Sequence, residues 1–223
     1  MASKNQPPLK PSISLEETAY LQLKELILTL QLRPGMFLNE LSLSEMLGIG
    51  RMPIHQAVQR LKAECLVEVI PRKGLVIRPD SLKDMLSLLE ARLAIEPNIT
   101  ALAAERATKE QIAALKKIMM DSKLIVKQSE RMSFMSLDRA FHALIGDATG
   151  NKILADAQRP LHERSELIWQ LRVMREDGLV VNQREHMNIF TAIAERDAHA
   201  ARKAMEDHLH SLHNRILEGS MDL

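Results

Sequence analysis

Leu47-Gly48-Ile49-Gly50-Arg51-Met52-Pro53-Ile54-His55-Gln56-Ala57-Val58 puts a helix stop, a turn and a helix start in one short run. Gly48 ends one helix, because glycine takes the left-handed cap conformation at little cost. Pro53 fits the first turn of the next helix, where its missing N–H has no partner to lose. Ile54, Ala57, Val58 and Leu61 recur at helical spacing and form an inward stripe running to about Ala63. The opposite face offers Arg51, His55, Gln56, Gln59 and Arg60. Two helices joined this tightly form a helix-turn-helix.

Downstream, Leu66-Val67-Glu68-Val69-Ile70 and Leu75-Val76-Ile77 flank Pro71-Arg72-Lys73-Gly74. Two short β-type runs around a basic, glycine-containing turn predict a hairpin. Upstream, Ser42-Leu43-Ser44-Glu45 reads as a capping box with Ser42 as N-cap. An apolar stripe at Leu15, Ala19, Leu23, Leu26, Ile27 and Leu30 predicts an earlier helix, broken by Arg33-Pro34-Gly35. The expectation is a winged helix-turn-helix over 13–78, preceded by a disordered tail over 1–12.

Charge is nearly balanced, with 30 basic and 29 acidic residues, so any nucleic-acid field must be local. From Arg51 to Arg78 there are six basic residues and two acidic ones, a modest footprint of that kind. Arg51, near the start of the second helix, has the chemistry to donate two hydrogen bonds to guanine O6 and N7. Helix-terminal amides, Arg72 and Lys73 would hold phosphates, Gly74 would let the wing approach closely, and His55 would read or position a base. The competing reading is a protein-interaction module with a solvated basic face.

Arg78-Pro79-Asp80 marks a boundary, with the linker at 79–81. Ser81-Leu82-Lys83-Asp84 is a second capping box, opening a helix over about 82–106 that Pro97 should kink or interrupt. Helices are expected near 109–128, 133–148, 151–175, 182–195 and 197–217, with Asn182 and Asp197 as N-caps. No strand signal follows Ile77. The fold class is mainly α: a winged head, then an all-α bundle over 82–217.

Within that bundle Asp138 and His142 are four residues apart and share a helix face, and His186 and His208 fall on later helices. Three imidazoles and a carboxylate suit a divalent ion, Zn²⁺ first, with Ni²⁺ or Fe²⁺ as alternatives. Four protein ligands close a tetrahedral site, whereas a higher coordination number leaves room for a ligand. His162, His199, His210 and His213 are taken as ordinary core or surface histidines. A hydrolase reading would use Glu185 or Glu96 as base beside a metal-bound water, but leaves the head without a role. A third reading keeps DNA binding and makes the metal purely structural.

The single Cys65 rules out an internal disulfide framework, and no apolar run or leader-like N-terminus appears, so a cytoplasmic protein is expected. Four Phe, one Tyr and one Trp beside 13 Met suit an aliphatic, helical core.

Leu32-Arg33-Pro34-Gly35, Leu38-Asn39-Glu40 and the run from Leu47 to Val58 resemble the GntR family of bacterial regulators, with Arg51, Pro53 and Ala57 matching its pattern. Departures are Gly50 for Ser or Thr, His55 for Arg, Gln56 for Glu, and Cys65 for a Gly common after the recognition helix. Residues 81–215 resemble the helical FCD domain of the family's FadR-like branch. The marks are Glu90-Ala91-Arg92-Leu93 with Glu96-Pro97, Asp138-Arg139-Ala140-Phe141-His142, Thr149-Gly150-Asn151, Glu185-His186 and His208-Leu209. The resemblance implies a homodimeric, non-enzymatic repressor on a pseudo-palindromic double-stranded operator. It also implies a metal at Asp138, His142, His186 and His208, and a carboxylate-type effector clamped by Arg92.

Overall fold

The structure, a computed structural model, describes residues 13–128, 130–172 and 176–221. The expected tail over 1–12 lies outside the described residues. The chain divides into two compact units, Met1–Pro79 and Asp80–Leu223.

In the first unit α1 (Leu15–Leu28) is followed by β1 (Phe37–Leu38), α2 (Glu40–Leu47), α3 (Arg51–Ala63), β2 (Val67–Ile70) and β3 (Gly74–Ile77). Ile54, Ala57, Val58 and Leu61 of α3 are buried against Ala19, Leu23 and Ile27 of α1, as the helical spacing predicts. β2 and β3 form the expected hairpin. The sequence reading missed β1, whose two residues add to β3 and make a sheet of order β1-β3-β2. Too short to show periodicity, β1 exists only because β3 supplies its partners. A Cβ on Gly74 would lie 2.3 Å from the Leu38 carbonyl oxygen, so the sheet alone demands glycine there.

The first capping box is corrected. The N-cap of α2 is Asn39, whose side chain accepts from the Ser42 amide while Ser42 Oγ faces the Asn39 amide. Ser42 is therefore the third residue of a helix that starts earlier than the sequence suggests. Gly48 does cap α2, at φ 65°. α3 ends in a Schellman arrangement: the Cys65 amide donates to Lys62 O and the Leu66 amide to Leu61 O. Cys65 sits at φ 60°, where the family resemblance expects glycine.

The second unit contains α4 (Leu82–Arg106), α5 (Lys109–Gln128), α6 (Arg131–Ala148), α7 (Lys152–Arg172), α8 (Glu176–Ala194) and α9 (Ala198–Met221), with no strand among the described residues. Ser81 and Asp84 form the anticipated capping box. Pro97 does not interrupt α4, which runs on through it. Asp197 caps α9 by accepting from the Ala200 amide. Asn182 is not a cap, because α8 begins at Glu176 and buries Asn182 in its body. The core joins Ile99 and Ala103 of α4, Leu115 and Met119 of α5, Phe141 and Ile145 of α6, Ile189 and Ile193 of α8, and Met205 and Leu209 of α9. Among the described residues no helix is long and apolar enough to cross a membrane.

Candidate metal centre and nucleic-acid interface

α6 presents Asp138 and His142 one turn apart, α8 presents Asn182 and His186 likewise, and α9 presents His208. The Phe141 ring lies 4.8 Å from that of His186, so the apolar core forms one wall of the cluster. His142 Nε2 is 3.3 Å from His186 Nε2, and His186 Nε2 is 3.5 Å from Asp138 Oδ1. Asn182 Nδ2 donates to the same Oδ1 at 3.1 Å. His142, His186 and His208 form one triad whose ligand atoms all lie within 4.8 Å of one another. Asp138 and His142 form a second triad of the same span with His162. His162, read from the sequence as an ordinary histidine, is thus a member of the cluster, with Nε2 3.1 Å from Asp138 Oδ2. Nothing local marks it; α7 brings it in from a different stretch of chain. His199, His210 and His213 fall in neither triad.

Carboxylates stand behind two of the imidazoles. Glu185 Oε2 lies 2.9 Å from His208 Nδ1, and Glu96 Oε2 lies 3.5 Å from His142 Nδ1. The Glu185 contact fixes the far nitrogen of His208 and turns its Nε2 inward, whereas His142 Nδ1 makes no hydrogen bond and meets Glu96 only at ion-pair range. Arg92 and Glu96, both buried on α4, form a fork-to-fork pair, with Nε donating to Oε1 at 2.6 Å and Nη2 to Oε2 at 3.1 Å. Arg92 Nη1 also donates to Ser165 Oγ at 2.8 Å. Both acids named as hydrolytic bases are therefore committed to other partners.

Electrostatics keep the ring in ligand-ready form. Burial, reinforced by the neighbouring His162, pushes His142 down to about 4. Burial likewise takes His186 well below the ordinary histidine value and lowers His208. Burial alone would raise Asp138, but the His162 hydrogen bond and the imidazoles around it hold its carboxyl far below the usual range. Burial would also raise Glu96, and Arg92 with His142 outweighs it. Neutral imidazoles facing an ionised carboxylate are the donor set that a divalent cation takes. The buried Asn182 Oδ1, with no hydrogen-bond partner, is one more unsatisfied oxygen beside them. The residues present fit a metal.

A cavity of about 20 Å³, lined by Arg92, Asp138, His162, Ser165, Asn182 and His208 among others, adjoins the cluster. That is the room of about one water molecule.

In the first unit Arg51 is exposed at the start of α3, and the Gly50 N-cap places no side-chain hydrogen bond on the terminal amides. Arg72 and Lys73 are exposed at the hairpin tip, with Arg72 at φ 63°. His55 Nδ1 lies 2.9 Å from Glu40 Oε1, so α2 orients it. Arg60, expected on the open face, stays half-exposed but is engaged by α1: its guanidinium lies 3.6 Å from the Tyr20 ring centroid and pairs with Glu17 at 2.5 Å. Nearby, Lys24 Nζ reaches Tyr20 Oη at 2.6 Å and Glu64 Oε2 at 2.8 Å.

A winged helix-turn-helix head with a bare-ended, arginine-tipped second helix, followed by a helical bundle with a polar core, defines a DNA-binding regulator with a helical second domain. The comparisons agree. Residues 15–77 match the family described as "Bacterial regulatory proteins, gntR family", and residues 87–211 match the FCD domain. An Uxu operon regulator of Haemophilus influenzae is 32% identical over 196 residues, 81% of this chain and 73% of that protein. The transcriptional repressor RspR of Escherichia coli is 24% identical over 207 residues, 92% of this chain and 90% of that one. The solved structure of E. coli McbR/YncC superposes with a TM-score of 0.81 at 18% identity, covering 93% of this chain and 99% of that chain. The chain belongs to the GntR family and carries an FCD domain; it is a transcription regulator, not an enzyme.

Proposed function

We propose that the protein is a metal-containing, metabolite-responsive repressor, with a head formed by residues 13–78 and a sensor by 82–217. The observation that carries this reading is the buried cluster of imidazoles around Asp138, an arrangement with little stabilising purpose unless a cation occupies it. Asp138, His142, His186 and His208 would hold the ion, Zn²⁺ or another divalent metal. A bound ion would supply a positive centre for an oxyanion.

Arg92 uses three of its N–H groups on Glu96 and Ser165, and the guanidinium has five. The remaining two would meet an effector's carboxylate. A metabolite larger than a water must enlarge the cavity to enter, and this supports a link between binding and helix movement. α7 is suited to carry it: two residues beyond His162, Arg164 clasps Asp80, the first residue of the helical unit. A coupling of roughly 1–3 kcal/mol would change operator affinity about 5–150-fold.

Arg51 would read a guanine, His55 would position a neighbouring base, and Arg72, Lys73 and Gly74 would seat the wing on phosphates. A homodimer on a pseudo-palindromic operator follows from two-fold pairing of such heads. The RspR relative's description as a repressor supports that direction of control.

Two measurements test the reading. On an operator selected from random duplexes, Arg51→Ala should lose sequence preference by about 1–3 kcal/mol and keep non-specific binding. Elemental analysis of protein purified without chelator should find stoichiometric metal, lost in His186→Ala and His208→Ala. A full complement of metal in both variants would remove the proposed centre.

A further inference from the structure

We propose that His162 is a fifth protein ligand, so that the centre is built from four imidazoles and one carboxylate. This rests on the metal reading above and goes beyond the Asp-plus-three-His set. His162 is 5% exposed, and its Nε2 is the atom that approaches Asp138 Oδ2, at 3.1 Å. Its ring stacks on His142 with centroids 4.1 Å apart and planes 29° from parallel. The donor atoms of Asp138, His142 and His162 span no more than those of His142, His186 and His208, and His142 belongs to both sets.

His162 differs from Glu96 and Glu185 in facing the inner side of the cluster. Glu96 and Glu185 stand by the Nδ1 atoms of His142 and His208, on the far side of each ring. His162 instead brings its Nε2 to Oδ2 of Asp138, on the opposite carboxylate oxygen from His186, whose Nε2 approaches Oδ1. Its helix is held in place around it. Ser165 is bonded to Arg92, Arg139 pairs with Glu166 at 3.2 Å, and Arg164 grips Asp80.

Five donors exceed the four of a closed tetrahedral zinc site and suit an ion that accepts six. The preference moves from Zn²⁺ towards Ni²⁺ or Fe²⁺, and one position is left for an external atom. A bound effector would reach the ion through a single oxygen.

The test is X-ray absorption of the full chain loaded with Ni²⁺ alone, counting imidazole scatterers. The expected result is four in the wild type and three in both His162→Ala and His162→Gln. Ni²⁺ affinity should fall at least ~10-fold in the variants, with a smaller loss for Zn²⁺. Three imidazoles in the metal-loaded wild type would overturn the assignment and leave the four-ligand centre standing. A wild type that binds no stoichiometric ion would overturn the metal reading itself. The wild-type count decides the matter even if a variant fails to fold.

Discussion

Glu96→Gln isolates what the buried ion pair does. The side chain is 0% exposed and meets Arg92, itself 2% exposed, through both carboxylate oxygens. Gln keeps the volume and one acceptor but removes the charge, leaving a guanidinium in the core with Ser165 as its other partner. Losing one member of a buried pair costs about 3–5 kcal/mol, and the retained amide oxygen places this change near the lower end. At about 2–4 °C per kcal/mol for a domain of this size, the helical unit should melt roughly 6–12 °C lower. Calorimetry of the metal-free full chain measures it. Because His142 also loses the carboxylate charge beside its Nδ1, metal affinity by chelator competition should fall ~10–100-fold. The double variant Arg92→Met with Glu96→Leu should recover most of the stability, since neither charge remains to be solvated, while metal affinity stays low. A Glu96→Gln melting point within about 2 °C of wild type would refute the reasoning.

Cys65→Gly should stabilise the recognition helix by about 1 kcal/mol, because φ 60° strains a side chain there and not glycine. Amide exchange within α3 should slow, and unchanged or faster exchange would sink the argument. The metal-free protein should also be acid-labile in a defined window. His142 is held near 4 in the folded state, below its ordinary 6.5, so the unfolded chain binds the extra proton between those values. Stability should therefore fall as pH drops from about 6.5 to 4, by on the order of 3 kcal/mol from this group. Denaturant midpoints that stay flat across that range would contradict it.

The head was almost fully legible because its signals are local. Gly48, Pro53 and the Ile54–Leu61 stripe each fix a boundary or a face through backbone geometry that neighbouring residues determine. Where the reading slipped, a competing local option won: Asn39 caps as well as Ser42 does and lies nearer the turn. Arg60 looked like a surface cation until α1 brought Tyr20 and Glu17 to it.

The bundle divides differently. Sequence determined the helices, and it placed Asp138 with His142, because one helical turn puts them on a common face. Which histidine joined them from α7, and which carboxylate stood behind each ring, depended on how six helices pack. His162 has no periodic or motif signal that separates it from His199 or His213, and Asn182 looked like a cap. Their roles arise from contacts to Asp138 across 24 and 44 residues of chain, at 3.1 Å each. Local chemistry is written along the chain, but a coordination shell is assembled across it, and only the packed core fixes its members.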